Sequence, residues 1–121
     1  MIDHVEIGVQ NLQRSKLFYQ RSLAPLGYQL SFESQGLLSF VSPDSPHPAG
    51  DFWIKEGKQE ALHLAFLADS QEQVQEFYSK GLEAGGRDNG APGYRESYHP
   101  PYYVAFLLDP DGNNIEAVYH H

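Results

Sequence analysis

Asp3-His4-Val5-Glu6-Ile7-Gly8-Val9 near the start of the chain and Leu62-His63-Leu64-Ala65-Phe66-Leu67 near its middle are two versions of one pattern, a histidine opening a short alternating run. Laying His63 on His4 also lays Phe77 on Phe18, Tyr78 on Tyr19, Leu82 on Leu23 and Gly86 on Gly27, without a gap. Self-similarity of this kind marks two copies of one supersecondary unit. Each copy opens with a strand, because Val5, Ile7 and Val9 alternate with His4, Glu6 and Gly8, and Leu62, Leu64 and Phe66 alternate with His63, Ala65 and Leu67.

A helix follows each strand. Asn11 can cap the first, and Leu12, Ser15, Phe18, Tyr19 and Leu23 recur at helical spacing. Asp69 or Ser70 can cap the second, with Val74, Phe77, Tyr78 and Leu82 as the equivalent stripe; Gly27 and Gly85-Gly86 end the two helices. Tyr28–Ser34, Leu37–Val41 and Asp51–Lys55 are the remaining strands of copy one. Copy two offers Tyr102–Leu108 and Asn114–Tyr119, joined by the turn Asp109-Pro110-Asp111-Gly112-Asn113. Ser42–Gly50 and Asp88–Pro101 are rich in Pro, Gly and polar residues and read as loops, the second hiding the third strand of its copy. The expected fold is α+β, two βαβββ modules forming a curved mixed sheet. One domain spans residues 1–121, with module one at about 1–57 and module two at about 60–121.

Composition narrows the partners. Sixteen acidic residues against eight basic ones give a formal charge of −8, and the cations form no run, so phosphate backbones and anionic lipid are repelled. Nucleic acid and membrane are therefore not expected as partners. With no cysteine, disulfides, thiolate catalysis and Cys-based zinc sites fall away. Met1-Ile2-Asp3-His4 is no secretory leader, and no stretch has the ~20 apolar residues of a span, so a cytoplasmic protein is expected. Eight Tyr, seven Phe and one Trp suggest a full core or an aromatic-lined ligand site.

Alternation also orients the polar residues. His4 and His63 lie opposite the apolar faces of their strands, and Glu116 lies opposite Ile115 and Ala117. A lone strand His or a lone Glu near a C-terminus is ordinarily structural or solvated. Two histidines at equivalent positions of a repeat are brought together by a pseudo-twofold axis, which groups them with Glu116 as a set for one divalent metal ion. Two imidazoles and a carboxylate suit Fe, Mn, Ni, Co or Zn and leave positions open for paired substrate oxygens.

Asp3-His4-Val5, Phe18-Tyr19, His63-Leu64-Ala65-Phe66 and the terminal Asp109-Pro110-Asp111-Gly112-Asn113-Asn114-Ile115-Glu116 together resemble the vicinal-oxygen-chelate superfamily over essentially the whole chain. This group includes glyoxalase I, extradiol dioxygenases, fosfomycin-resistance proteins and bleomycin-binding proteins. The resemblance implies the glyoxalase-like fold and metal ligands at His4, His63 and Glu116. Glyoxalase I adds a fourth protein ligand late in the first copy, where this chain carries Phe52 or Trp53, neither able to bind a metal. That leaves a three-ligand site.

Further candidates surround this set. Glu6 shares the face of His4 and is a candidate general base; its alternative is a solvated strand residue. Arg95, His99, Tyr102 and Tyr103 cluster in and after the long second loop, Arg95 and Tyr102 as substrate-binding candidates and His99 and Tyr103 as proton-transfer candidates. Phe52 and Trp53 form an aromatic wall or pack in the core. His47 and the terminal His120-His121 read as solvent residues.

The leading expectation is a metal-dependent enzyme acting on a small oxygen-rich metabolite by lyase, isomerase, dioxygenase or transferase chemistry. The alternative is a bleomycin-resistance-like protein that sequesters a small molecule; such relatives generally lack the ligand set. Ring cleavage would need iron and a proton-relay histidine, for which His99 is the internal candidate, and fosfomycin-type transfer would want more cations than this chain offers. The resemblance and the commonness of twofold oligomers point to a homodimer, with the metal cup formed within one chain or across two.

Overall fold

A computed structural model describes residues 4–45, 50–57, 62–95 and 102–120. Module one runs β1 (Val5–Val9), α1 (Leu12–Leu23), a 3-10 turn (Ala24–Leu26), β2 (Gln29–Ser34), β3 (Leu37–Val41) and β4 (Phe52–Glu56). Module two runs β5 (His63–Leu67), α2 (Gln71–Glu83), β6 (Arg87–Tyr94), β7 (Tyr103–Leu108) and β8 (Asn114–Tyr119). Each module is a four-stranded mixed sheet, ordered β1-β4-β3-β2 and β5-β8-β7-β6. In each, the first strand lies parallel to the last and the other pairs are antiparallel. The repeat read from the sequence is thus a repeat of topology. No helix among the described residues is long and apolar enough to cross a membrane.

Local chemistry sets the helix ends. The Asn11 side chain accepts from the Arg14 backbone N–H at 3.0 Å, and Ser70, rather than Asp69, caps α2 by accepting from Gln73 at 3.2 Å. Pro25 ends regular α geometry after Leu23, and Gly27 turns the chain at φ 92°. Val74 and Phe77 face inward as expected, but Leu82 is exposed. Gly81 takes the inward place instead, where an added Cβ would come within 2.2 Å of a Leu107 methyl.

The expected loop at Asp88–Pro101 is corrected in its first half, because Arg87–Tyr94 is an edge strand paired with β7. Its register shifts on both sides of Gly90, and Pro92 falls within the second irregular stretch. An edge strand with bulges tolerates the Gly and Pro that read as loop signals, since β7 supplies the pairing on one side alone.

α1 packs on α2, and the helix-facing sides of the two sheets share one core. Its centre is aromatic: the Tyr19 and Phe52 rings lie 5.0 Å apart, Phe52 and Phe66 5.2 Å, and Tyr28 and Phe66 5.4 Å, all edge-on. Phe52 and Tyr19 come from module one and Phe66 from module two.

A polar node joins the modules beside that core. Asp109 is fully buried, and its carboxylate accepts from the Tyr19 hydroxyl at 2.6 Å, from the backbone N–H groups of Asp111 and Asn113, and from the Asn113 side-chain amide. Asn113 in turn accepts from the Leu62 N–H at 2.9 Å, just before β5. Asp111 accepts from Ser15 Oγ and from the Gln10 N–H at the start of α1. Gly112, at φ 88°, lets the turn close. The turn before β8 is therefore fastened to β5 and to α1 together.

Asp109→Ala should strip partners from a buried hydroxyl and from three N–H groups, lowering the unfolding free energy in urea by about 3 kcal/mol or more, against about 2 kcal/mol for Tyr19→Phe. A loss under about 0.5 kcal/mol for Asp109→Ala would show that the node does not hold the modules. Alkaline pH offers a second check. Burial, then Asp109, pushes the Tyr19 phenol well above its ordinary value, and burial, then Asp51, pushes Tyr28 up to about 12. Unfolded phenols ionise near about 10. The folded state thus holds these protons more tightly, and the stability they contribute is complete below about pH 10 and lost as pH rises toward 12. Urea midpoints should fall between pH 10 and 12, and less steeply in Tyr19→Phe.

Candidate functional site

Strand alternation gives each sheet a helix-facing side and an open side. On module two the open side carries His63, Ala65 and Leu67 of β5, Glu116 and Val118 of β8, and Val104 and Phe106 of β7. The parallel register sets Ala65 beside Glu116, which brings the preceding histidine within reach. His63 Nε2 and Glu116 Oε1 are in direct contact. The imidazole stands at the mouth with its side chain 56% exposed, whereas the carboxylate is sunk to 10%. His63 also meets the Phe106 ring edge-on, at 6.4 Å between centroids.

Glu116 is the point of chemical interest. A nearly buried carboxylate normally gathers several donors, as Asp109 does with four. Among the described residues, Glu116 has His63 as its one hydrogen-bonding partner. An imidazole and an under-satisfied carboxylate converging on an open face fit a divalent cation, which would supply the missing compensation.

His4 is exposed on the open side of β1, one strand position before Val5. It borders a cleft of about 210 Å³ between the modules, lined by His4, Val5, Asp51 and Phe52 on one side and by Leu64, Ala65 and Phe66 on the other. The strand bearing His63 thus forms the far wall of the cleft that His4 flanks. Among the described residues no group of three His, Asp or Glu side chains is gathered closely enough to hold a metal. The expected triad is therefore met as a pair, His63 with Glu116, with His4 across the cleft.

The remaining candidates separate by face. The register pairs Val5 with Phe52 and Glu6 with Trp53, as it pairs Leu64 with Ile115 and Ala65 with Glu116. Trp53 is thus the counterpart of Glu116, and module one has no equivalent carboxylate. Of the two readings of Phe52, core packing describes it: it is 1% exposed and packed on Tyr19 and Phe66, because it shares the helix-facing side with Val5 and Ile54, and it reaches the cleft only at the cleft's inner wall. Trp53 stays on the open side against Phe32, with ring centroids 5.8 Å apart, and its indole N–H donates to the Gly50 carbonyl. Glu6 lines a separate hollow with Gly8, Lys55 and Glu56.

Tyr103 is also corrected. It shares the helix-facing side of β7 with Ala105 and Leu107, and its hydroxyl accepts from the Gln75 amide of α2 at 3.0 Å, so it faces away from Glu116. Tyr102 has the opposite parity, and its ring lies 4.6 Å from that of His120 at a tilt of 51°, with His120 itself exposed as expected. Arg95 lies on the open side, its guanidinium 5.6 Å from the centre of the Phe106 ring. His99, His47 and His121 lie outside the described residues. Sequence reasoning missed Phe106; its signal was its alternation with Ala105 and Leu107 in β7, which places it beside Glu116.

Comparison with known proteins agrees with this architecture. The chain is similar to a glyoxalase/bleomycin resistance protein of Albidiferax ferrireducens T118, at 35% identity and a TM-score of 0.82, with 98% of each chain covered. It shares its fold with a family enzyme from Burkholderia phytofirmans PsJN, described as glyoxalase/bleomycin resistance protein/dioxygenase, at 19% identity and a TM-score of 0.71, covering 98% of this chain and 97% of that one. It also shares it with lactoylglutathione lyase from Agrobacterium tumefaciens, at 16% identity and a TM-score of 0.73, covering 99% and 93%. Among curated proteins none matches significantly. The family model matches residues 1–117, and the chain belongs to the Glyoxalase/Bleomycin resistance protein/Dioxygenase superfamily.

Proposed function

We propose that this protein is a divalent-metal-dependent enzyme acting on a small oxygen-rich metabolite, with His63 and Glu116 as metal ligands and His4 joining them from across the cleft. The observation that carries the reading is Glu116, a nearly buried carboxylate on an open sheet face with one imidazole for a partner among the described residues. Membership of a superfamily whose members typically bind a divalent metal supports it. Bound there, the ion would act as a Lewis acid on paired substrate oxygens.

The chain's own residues supply the setting. Glu116 is held in place by the turn anchored at Asp109, so its orientation is fixed before any ligand arrives. Ala65, Val104 and Phe106 surround it with apolar surface, which strengthens electrostatic interactions at the carboxylate. Trp53, where a fourth ligand would stand, limits the protein to three side-chain ligands. This favours chemistry that keeps several coordination positions for substrate, whether lyase, isomerase, dioxygenase or transferase. The working form is a homodimer, in line with the commonness of twofold assemblies.

A second reading is sequestration of a small molecule without turnover. It is favoured by the Phe32–Trp53 aromatic pair, which presents a stacking surface on the module-one open side.

Elemental analysis decides between the two. A chain lacking His120-His121 should retain about one divalent ion after reconstitution with iron, manganese, nickel, cobalt or zinc and desalting. His63→Ala and Glu116→Gln should each lower that content to background while leaving the fold intact by circular dichroism. Absence of a retained ion for all five metals would remove the enzyme reading and leave sequestration.

A further inference from the structure

Tyr28 takes part in neither the metal pair nor the Asp109 node, yet it lines the cleft between the modules. Local chemistry places it. Gly27 turns the chain at φ 92°, where an added Cβ would come within 2.8 Å of the Pro43 ring. The Tyr28 N–H then donates to the Leu23 carbonyl at 3.2 Å, and its ring stands edge-on to Phe66 at 5.4 Å. Backbone and ring are both held, so this half-buried side chain has little freedom left to lose on binding.

The Tyr28 hydroxyl meets no hydrogen-bonding partner among the described residues. Tyrosines with a buried body normally find one, as Tyr19 and Tyr103 do with Asp109 and Gln75. Nor is the hydroxyl sealed in the core. Among the described residues the side-chain oxygen that is both sealed and unpartnered is Ser22 Oγ, so that of Tyr28 is open to the cleft its residue lines. Asp51 borders the same cleft, but its carboxylate accepts from the Ser42 N–H at 3.0 Å and from the Ser42 hydroxyl at 2.6 Å. Burial first, and then the Asp51 charge, pushes the Tyr28 phenol up to about 12, so it stays protonated at neutral pH.

The space is of a definite size and character. Apart from His4, Tyr28 and Asp51 the lining is apolar, and the cleft holds about 210 Å³. That exceeds the ~150 Å³ that admits a benzene ring and falls short of the ~300 Å³ at which drug-sized sites begin. We infer that this cleft binds a small neutral compound with an apolar body of about one ring, its carbonyl oxygen accepting a hydrogen bond from Tyr28. The apolar walls select the body, the protonated hydroxyl selects an acceptor, and the Asp51 carboxylate repels an anion. The inference goes beyond the metal reading and does not rest on it, since every group it uses stands in place without an ion.

Ligand-observed NMR on full-length, metal-free protein tests it, with acetophenone as probe, ethylbenzene as its counterpart without an acceptor and benzoate as the anion. Acetophenone should bind saturably, and benzoate at least about 10-fold more weakly. Tyr28→Phe keeps the ring against Phe66 and should weaken acetophenone about 3- to 10-fold, the worth of one hydrogen bond, with ethylbenzene unchanged. Asp51→Asn should narrow the gap between acetophenone and benzoate. Unliganded melting and circular dichroism verify that both variants fold. Absence of saturable acetophenone binding, or a loss under about 2-fold in Tyr28→Phe, would overturn the inference. So would equal losses for acetophenone and ethylbenzene, benzoate binding as tightly as acetophenone, or a gap unchanged in Asp51→Asn. Failure of the metal-site reading appears separately, in elemental analysis.

Discussion

The buried carboxylate of Asp109 is the constraint on which the rest of this structure depends. Removing an ionised carboxylate from water is costly, and the cost is offset only when its oxygens are saturated with donors. Here Tyr19 reaches it from module one, while Asp111 and Asn113 reach it from within its own turn. That requirement fixes the shape of the turn, the docking of α1 against it through Asp111, and the start of β5 through Asn113 and Leu62. Because β8 begins at once after the turn, the same node sets the height at which Glu116 emerges beside His63.

The two modules share a topology but not a chemistry. Equivalent strand positions hold Trp53 in one and Glu116 in the other, and Ser39 in one and Phe106 in the other. Module one thus offers an aromatic open face, with Phe32 leaning on Trp53, and module two offers the imidazole–carboxylate pair with Arg95 above an aromatic ring. A duplicated fold needs both helix-facing sides to be apolar, since they build one core, and leaves both open sides free to diverge.

Polar groups in the two modules show how structure and function compete for the same residues. Asp109 is fully satisfied and rigid, as a structural polar node has to be. Glu116 is nearly as buried yet poorly satisfied, which costs stability and leaves a group ready for a ligand.

Much of this was legible in the residue order. The repeat that lays His63 on His4 gave the two βαβββ modules, and strand alternation placed His4, His63 and Glu116 on open faces, because side chains in strands alternate with period two whatever the fold. Periodicity alone could not choose between Phe52 and Trp53, two adjacent aromatics either of which suits a core; the parallel register with β1 decided it. Arg87–Tyr94 was read as loop because Gly and Pro are local breakers, while its partner β7 is a tertiary fact. Tyr103 was misjudged because the parity of a strand's first residue depends on where pairing begins. The sequence by itself therefore determined the elements other than β6, and the faces on which His4, His63 and Glu116 stand. Tertiary structure alone decided that His63 meets Glu116, that His4 stands across a cleft and that Arg95 covers Phe106, since distances between strands far apart in the chain depend on how the two sheets pack.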